Sequence, residues 1–372
     1  MLNIVVAPYR DAYFYEKYGP AVRDLQIIDT LASLDIVKKI HVINRPVSVY
    51  ERVTTKKNFN KLAGNKKIKV YDKTSYNLFG PIISPRVWAG NVHSKYCRDL
   101  LGQLVDDQCN NVFIDFMPTG IIPERDNVGP WLLWYDFIDN FTKHNRFTPQ
   151  EKAAVAEKYV NVRSCYNYIT FVSDACSNYY ADKPKNSSVL TNKIFISEAD
   201  KENVVRLDLH ENVYDLGFVG FITDKLDVPF LKKLAAQYSI VLYGKFFNDK
   251  IRGDLENISN IKIMGEFAYT ELPKIMNTFR VGLVPYILQK SHDESPLKIY
   301  EYLKNNKPCL SSLDFEFSDN KYVVNYNSNN FDYTRINCLL SKSGSPEIFS
   351  SLDKEHFLKS SLIKIVNEIL ET

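Results

Sequence analysis

With 372 residues, 45% of them hydrophobic, the chain is too long for one ordinary core and fits two domains of ordinary size. Its 47 basic and 44 acidic side chains leave a net charge of only +3, which argues against a nucleic-acid-binding protein. Six cysteines, at 97, 109, 165, 176, 309 and 338, show neither CxxC pairing nor metal-ligand spacing and read as reduced core thiols.

The start, MLNIVVAPYR, reads as a first strand rather than a signal peptide. No apolar run approaches the ~18–20 residues that span a bilayer. The expectation is a cytoplasmic protein, free or lying on the inner face of a membrane. Leu2–Pro8 is continuously apolar, as a strand buried on both faces of a parallel sheet should be. Gly19-Pro20 introduces a helix in which Val22, Leu25, Ile28, Leu31 and Leu34 share a face. Lys39–Asn44 and Ile68–Asp72 are further strands. Between them runs Arg52–Lys73, with Lys56, Lys57, Lys61, Lys66, Lys67 and Lys69 and almost no acids. Such a run is either a solvated face or a patch for anionic lipid headgroups or a lipid-linked pyrophosphate.

His93–Gln108 reads as a helix, Asn111–Met117 as a strand, Pro118–Arg125 as a loop and Trp131–Phe137 as a buried strand. Helix Gln150–Tyr166, strand Ile169–Ser173, short helix Asp174–Ala181 and strand Ser188–Thr191 follow. This alternation is that of a doubly wound α/β domain. Periodicity is lost from about Asn192 to Tyr214, which places the domain junction there. A second alternating series begins at Leu216–Phe221. The expected division is a Rossmann-like domain over 1–200, a second over 201–352, and a tail over 353–372. The tail reads as an amphipathic helix with Phe357, Leu358, Leu362, Ile365, Val366 and Ile369 as its apolar face.

The stretch Val281–Ser312 carries the most chemistry. A buried strand and a polar loop lead to Ser295, a good N-cap, and Pro296, which suits the first helical position of a helix running to about Asn305. Its free N–H groups and dipole suit an anion such as a pyrophosphate. Asp293 and Glu301 frame the turn, and Glu301 falls where its carboxylate can accept from two vicinal hydroxyls of a ribose. The chain has no G-x-G-x-x-G, Walker A, HExxH, GxSxG or Asp-x-Asp, and its six histidines are scattered. No metal is expected. A leaving diphosphate would then rely on helix N-termini, Lys or Arg.

The run DESPLKIYEYLKNNKP resembles the acid-x7-acid donor-sugar motif of GT-B glycosyltransferases. Within that family it is similar to the bacterial group 1 polysaccharide and teichuronic-acid-type transferases, which carry a PLKLYEYLAAGKP-like signature. LGFVGFITDKLDVPFLKKLAAQYSIVLYGK and IKIMGEFAYTELPKIMNTFRVGLVPY follow the same order and spacing. The resemblance implies a GT-B fold, two Rossmann-like domains facing a cleft, with the last helix crossing back to the first. It implies a metal-independent hexosyltransferase that uses no cofactor beyond its nucleotide sugar, a UDP-sugar before a GDP- or dTDP-sugar. The acceptor would be a lipid-linked saccharide or an oligosaccharide of bacterial surface polysaccharide synthesis.

Carried over by the motif, donor-binding falls to Asp293, Glu294, Ser295, Pro296, Leu297, Lys298 and Glu301, with Gly220 and Lys245 at strand ends. Phe221 stands where many GT-B enzymes have an Arg. LLWYDFIDNF resembles a YDCVDDW-like segment, which makes Asp136 and Asp139 the catalytic candidates. One of them would be the general base of an inverting enzyme; in a retaining enzyme they would bind sugar hydroxyls. Arg10 is the acceptor-site candidate. Two alternatives stay open, a GT-B nucleotide-sugar epimerase and an inactive nucleotide-sugar-binding module.

Overall fold

Continuous apolar runs decide the strands, because a parallel strand covered on both faces has no solvent side on which to alternate. In a computed structural model, which describes residues 1–54, 60–123, 129–197, 200, 214–290 and 292–372, these runs build two parallel sheets. Lys56, Lys57, Ser291, much of the expected junction and part of the Pro118–Arg125 loop lie outside the described residues. The chain divides into two units. Unit 1 comprises Met1–Thr191, His292–Glu294 and Leu358–Thr372, and unit 2 comprises Asn192–Ser291 and Ser295–Phe357.

Unit 1 contains β1 (Leu2–Ala7), β2 (Val37–Ile43), β3 (Val47–Ser48), β4 (Ile68–Tyr71), β5 (Thr74–Ser75), β6 (Asn110–Asp115), β7 (Trp131–Phe137), β8 (Tyr168–Phe171) and β9 (Ser187–Val189). Seven of these form one sheet in the order β4-β2-β1-β6-β7-β8-β9, every pair parallel, while β3 and β5 form a separate two-stranded ribbon. The chain leaves β1 toward one edge and returns to β6 to build the other, so the topological switch lies between β1 and β6. Phe113, Tyr135, Phe137, Tyr159 and Phe171 fill the core on one face. The helix Pro149–Cys165 starts at a capping box: Glu151 N–H donates to Thr148 Oγ1 at 3.3 Å and Thr148 N–H to Glu151 Oε2 at 2.8 Å. The tail helix Leu358–Leu370 packs on the helix Arg23–Ala32 and buries Leu362, Ile365 and Ile369 within unit 1.

Unit 2 contains β10 (Tyr214–Val219), β11 (Ile240–Tyr243), β12 (Ile261–Gly265), β13 (Phe279–Val284), β14 (Cys309–Ser311) and β15 (Val323–Asn325), in the parallel order β12-β11-β10-β13-β14-β15. Its switch lies between β10 and β13. In open sheets of this kind ligands bind at the carboxyl ends of the strands beside such a switch. Both units are thus doubly wound, as the alternation of strand and helix implies.

Some boundaries differ from the reading of the sequence. The helix expected over His93–Gln108 runs from Pro85 to Leu101, opened by the Ser84-Pro85 step. The short helix Ala12–Tyr18, capped by Asp11 through Phe14 N–H at 2.9 Å, and the β3–β5 ribbon were not foreseen. The motif helix spans Leu297–Lys304 with Pro296 as N-cap, one residue later than expected. Ser295 does not cap it; the Ser295 hydroxyl donates to Glu316 Oε1 at 2.6 Å.

Candidate functional site

In unit 2, glycine ends three adjacent strands. Gly220 follows β10, Gly244 follows β11 and Gly265 closes β12, all at positive φ (117°, 145° and 90°). A Cβ on Gly244 would lie 1.8 Å from the Gly220 carbonyl, and one on Gly220 would lie 2.8 Å from Lys298 Cε. Glycine here permits both the backbone conformation and the close approach. Lys298, from the first turn of the motif helix, therefore lies directly over the end of β10. Its Nζ donates to Tyr286 Oη at 2.7 Å and sits 5.2 Å from the Phe218 ring centroid. Tyr286 follows β13, so this ammonium stands at the switch between β10 and β13. Pro296 is buried, whereas Leu297 and Lys298 are half-buried at the helix start.

Glu301 lies one turn further on and is largely buried. Tyr269 Oη donates to its Oε1 at 2.6 Å. Lys304 Nζ pairs with Oε2 at 2.9 Å. Burial works against the charge on Lys304, but the carboxylates of Glu301 and Asp200 more than offset it and hold its pKa above the ordinary lysine value. Lys304 also reaches Tyr269 Oη at 3.1 Å and Asp200 Oδ2 at 3.4 Å. Of the sequence-derived candidates, Gly220, Pro296, Leu297, Lys298 and Glu301 are gathered on or beside this helix. Ser295 is turned toward Glu316 and Asn192, whose N–H donates to its Oγ at 3.3 Å. Lys245, two residues past β11, is half-buried and stands 3.6 Å from Glu266.

Sequence reasoning did not find Tyr269, Tyr286 or Lys304. Lys304 was readable as the i+3 partner of Glu301. The two tyrosines, one opening the 3-10 turn Tyr269–Glu271 and one following β13, lie 32 and 12 residues from the groups they bond, with no local signal.

Asp293 and Glu294 belong to unit 1, so the two acids of the motif lie in different units. Asp293, at φ 63°, accepts from Asn140 Nδ2 at 2.9 Å and pairs with Lys143 at 2.8 Å. Its carbonyl accepts from Ser173 Oγ. The His292 ring stacks on His144 with centroids 4.5 Å apart. One potential ligand atom from each of Asp139, His292 and Glu294 lies within 4.8 Å of the others. This grouping spans more than 150 residues of chain, and the scatter of histidines gave no hint of it. It has the chemistry to share a proton or to hold a divalent ion.

Asp136 is corrected as a catalytic candidate. It is fully buried, and Arg23 grips it bidentately, Nε to Oδ2 at 2.7 Å and Nη2 to Oδ1 at 2.8 Å. Thr170 Oγ1 adds a third bond at 2.5 Å and accepts in turn from Trp134 Nε1 at 2.8 Å. No acceptor hydroxyl can reach it; it is a structural tie. Asp139, two residues past the end of β7, is half-buried, with its carbonyl receiving Tyr159 Oη at 3.2 Å. Arg10 lies past β1, its guanidinium over the rings of Tyr9 (4.9 Å) and Phe14 (5.1 Å). Its N–H donates to Asp24 Oδ2 at 2.7 Å. Burial pushes the Asp24 carboxyl up to about 6, although this and other backbone hydrogen bonds and the Arg10 charge pull the other way.

No family model matches the chain. The putative teichuronic acid biosynthesis glycosyltransferase TuaH of Bacillus subtilis (strain 168) is 29% identical over 104 residues, a match covering 26% of each chain. The matched region is thus about a quarter of that curated relative. The glycosyltransferase AviGT4, involved in avilamycin A biosynthesis, superposes with a TM-score of 0.61 at 10% identity, covering 100% of this chain and 98% of that one. The UDP-GlcNAc 2-epimerase of Neisseria meningitidis, bound to UDP-GlcNAc, gives a TM-score of 0.53 at 12% identity, with 100% of both chains covered. With two doubly wound parallel units and these neighbours, the chain has the GT-B fold of glycosyltransferases.

Proposed function

We propose that the protein is a glycosyltransferase that moves a hexosyl group from a UDP-sugar to a saccharide acceptor, lipid-linked, in bacterial surface polysaccharide synthesis. The observation that carries this reading is Lys298 over Gly220 at the switch point of unit 2, on the first turn of the motif helix. An ammonium and free helix N–H groups there suit a diphosphate, and a Cβ-free strand end lets it approach closely. Glu301, one turn further along the same helix, is assigned to the ribose hydroxyls. The partial likeness to TuaH supports the same chemistry.

Unit 1 is assigned the acceptor. In an inverting course Asp139 takes the proton of the acceptor hydroxyl as that oxygen bonds to the anomeric carbon. The bond from that carbon to the diphosphate oxygen breaks, and UDP leaves with the electron pair, its charge offset by Lys298 and the helix N-terminus. In a retaining course Asp139 binds sugar hydroxyls instead. No cofactor beyond the nucleotide sugar is required.

The test is a thermal-shift screen of nucleoside diphosphates and their sugars. A ligand at 100 times its dissociation constant adds about 2.7 kcal/mol of stability. UDP and a UDP-hexose are expected to raise the melting temperature; if no nucleotide does, the reading fails. Turnover of the donor without added acceptor would identify an epimerase. Transfer is expected to survive chelator, and a loss restored by Mn²⁺ would give Asp139, His292 and Glu294 to an ion.

A further inference from the structure

Between Tyr76 and Ile83, unit 1 displays a set of large apolar side chains to solvent. Tyr76 is 81% exposed, Phe79 73%, Ile82 68% and Ile83 76%. Isolated exposed hydrophobes are ordinary, but four within eight residues form a patch that soluble surfaces usually avoid. The display is built by local structure. Asn77 Oδ1 accepts from the N–H groups of Phe79 (3.2 Å) and Gly80 (2.8 Å), and Phe79 O accepts from Ile82 and Ile83, both at 3.0 Å. Gly80 lies so close to Trp88 that a Cβ would come within 2.4 Å of its ring, which seats the turn on a buried indole.

The small ribbon adds a second apolar element. β3 and β5 pair in parallel, Val47 with Thr74 and Ser48 with Ser75, so the residues that follow each strand leave the same end of the ribbon. Those after β3 form the helix Val49–Thr54, where Tyr50 is half-exposed and Val53 is 88% exposed. Arg52 on that helix bonds Thr74 Oγ1 at 3.0 Å and Asp72 Oδ2 at 2.9 Å, which fixes the helix against the start of the apolar turn.

Charge singles out what this face meets. Residues 52–98 contain eleven Lys or Arg and one acid, Asp72, while the whole chain carries only +3, so the remainder is net acidic. Asp72 is spent on Arg52, whereas Lys61, Lys66, Lys69 and Lys73 are exposed. A cluster of aliphatic and aromatic tips in a strongly basic segment matches a bilayer interface with anionic headgroups: apolar tips enter the acyl boundary and lysines meet phosphates. Among the described residues no helix is long and apolar enough to cross a membrane, so the fit is to lying on the surface. We propose that Tyr50, Val53, Tyr76, Phe79, Ile82 and Ile83, with Lys61, Lys66, Lys69 and Lys73, dock this protein on an anionic membrane. The docking does not depend on the reaction assigned above.

The experiment is flotation of the full chain with vesicles of phosphatidylcholine alone or mixed with phosphatidylglycerol. The protein is expected to float with the mixed vesicles, less so as salt rises, and to stay behind with phosphatidylcholine alone. The double variant Phe79→Asp/Ile83→Asp should lower partitioning by about tenfold or more. Lys69→Glu/Lys73→Glu should weaken it and flatten its salt dependence. Both alter exposed positions, so the near-UV spectrum and melting temperature should stay at wild-type values. Absence of flotation on mixed vesicles overturns the proposal, as does flotation that ignores Phe79→Asp/Ile83→Asp. So does sedimentation velocity showing a wild-type dimer that this variant dissociates, which would make the patch a face for a second copy.

Discussion

The two units treat charge at the ends of their central strands in opposite ways. Unit 1 closes it into buried ties: Asp136 with Arg23 and Thr170, and Asp115 at the end of β6 with Lys158 and Tyr166. Unit 2 ends three adjacent strands in glycine, Gly220, Gly244 and Gly265, with the half-buried Lys298 over the first. A buried ion pair with every lone pair used cannot also serve a ligand, because exchanging a partner for substrate strands a charge in low dielectric. At the glycine ends of unit 2 no side chain of the strand intervenes, and the ammonium over the first of them is held by Tyr286. Depth of burial thus separates the strand-end groups: Asp136 and Asp115 are wholly enclosed, whereas Lys298 is only half-buried.

The sharpest way to break this contrast is at the two acids of β7 and its exit. Asp136→Ala should cost about 3–5 kcal/mol of stability, because it leaves Arg23 buried without its counter-charge. Chemical denaturation measures this, and a loss below about 1 kcal/mol would remove Asp136 from the structural side. Asp139→Asn should leave stability and UDP affinity close to wild type while lowering turnover by roughly 10²–10⁴-fold if it is the general base. A mild kinetic effect would instead favour a retaining course.

A smaller effect tests unit 2. Glu301→Gln keeps an acceptor for Tyr269 but weakens the carboxylate, so UDP should bind on the order of 10–100-fold more weakly. Calorimetry with a 2′,3′-dideoxy nucleotide should show almost no difference between mutant and wild type. If ordinary UDP also binds both alike, Glu301 merely holds Lys304 and Tyr269.

The smallest effect sharpens the picture of unit 1 as the unit that buries its charges. Burial raises Asp24 to about 6 and lowers His93 to about 4, where its Nε2 lies 2.7 Å from the Ile43 carbonyl. Between pH 4 and 6 native Asp24 keeps a proton that the unfolded chain has lost, so its contribution falls as pH rises. Native His93 lacks a proton that the unfolded chain still holds over the same range, so its contribution rises with pH. The two oppose each other. Asp24→Asn should make stability climb more steeply from pH 4 to 6, and His93→Gln should make it climb less, each by roughly 1–2 kcal/mol. Urea titrations at several pH values read this directly; parallel curves for both variants would mean these groups titrate normally.

The doubly wound fold and the motif helix were legible because buried parallel strands and N-terminal Pro leave local marks in the chain. The division of labour between Asp136 and Asp139 was not. β7 is buried on both faces, so alternation along it says nothing of which carboxylate points inward, and Arg23 lies 113 residues away. The same distance problem hid the approach of His292 to Asp139 and of Tyr269 to Glu301. The apolar turn at Tyr76–Ile83 carried no signal of its own, since composition does not tell an exposed isoleucine from a core one.

The placement of the tail helix has a consequence for how the protein is made. Leu362, Ile365 and Ile369 pack in unit 1, yet they leave the ribosome only after every strand of unit 2. The N-terminal portion of a growing chain generally folds first. Here the surface around the helix Arg23–Ala32 must wait, uncovered, until Leu358–Leu370 has been made. Unit 2, encoded in between, has its whole sheet available earlier. A nascent chain stalled before Leu358 would thus hold a finished second unit and an unfinished first one, a state in which chaperones have a defined apolar target.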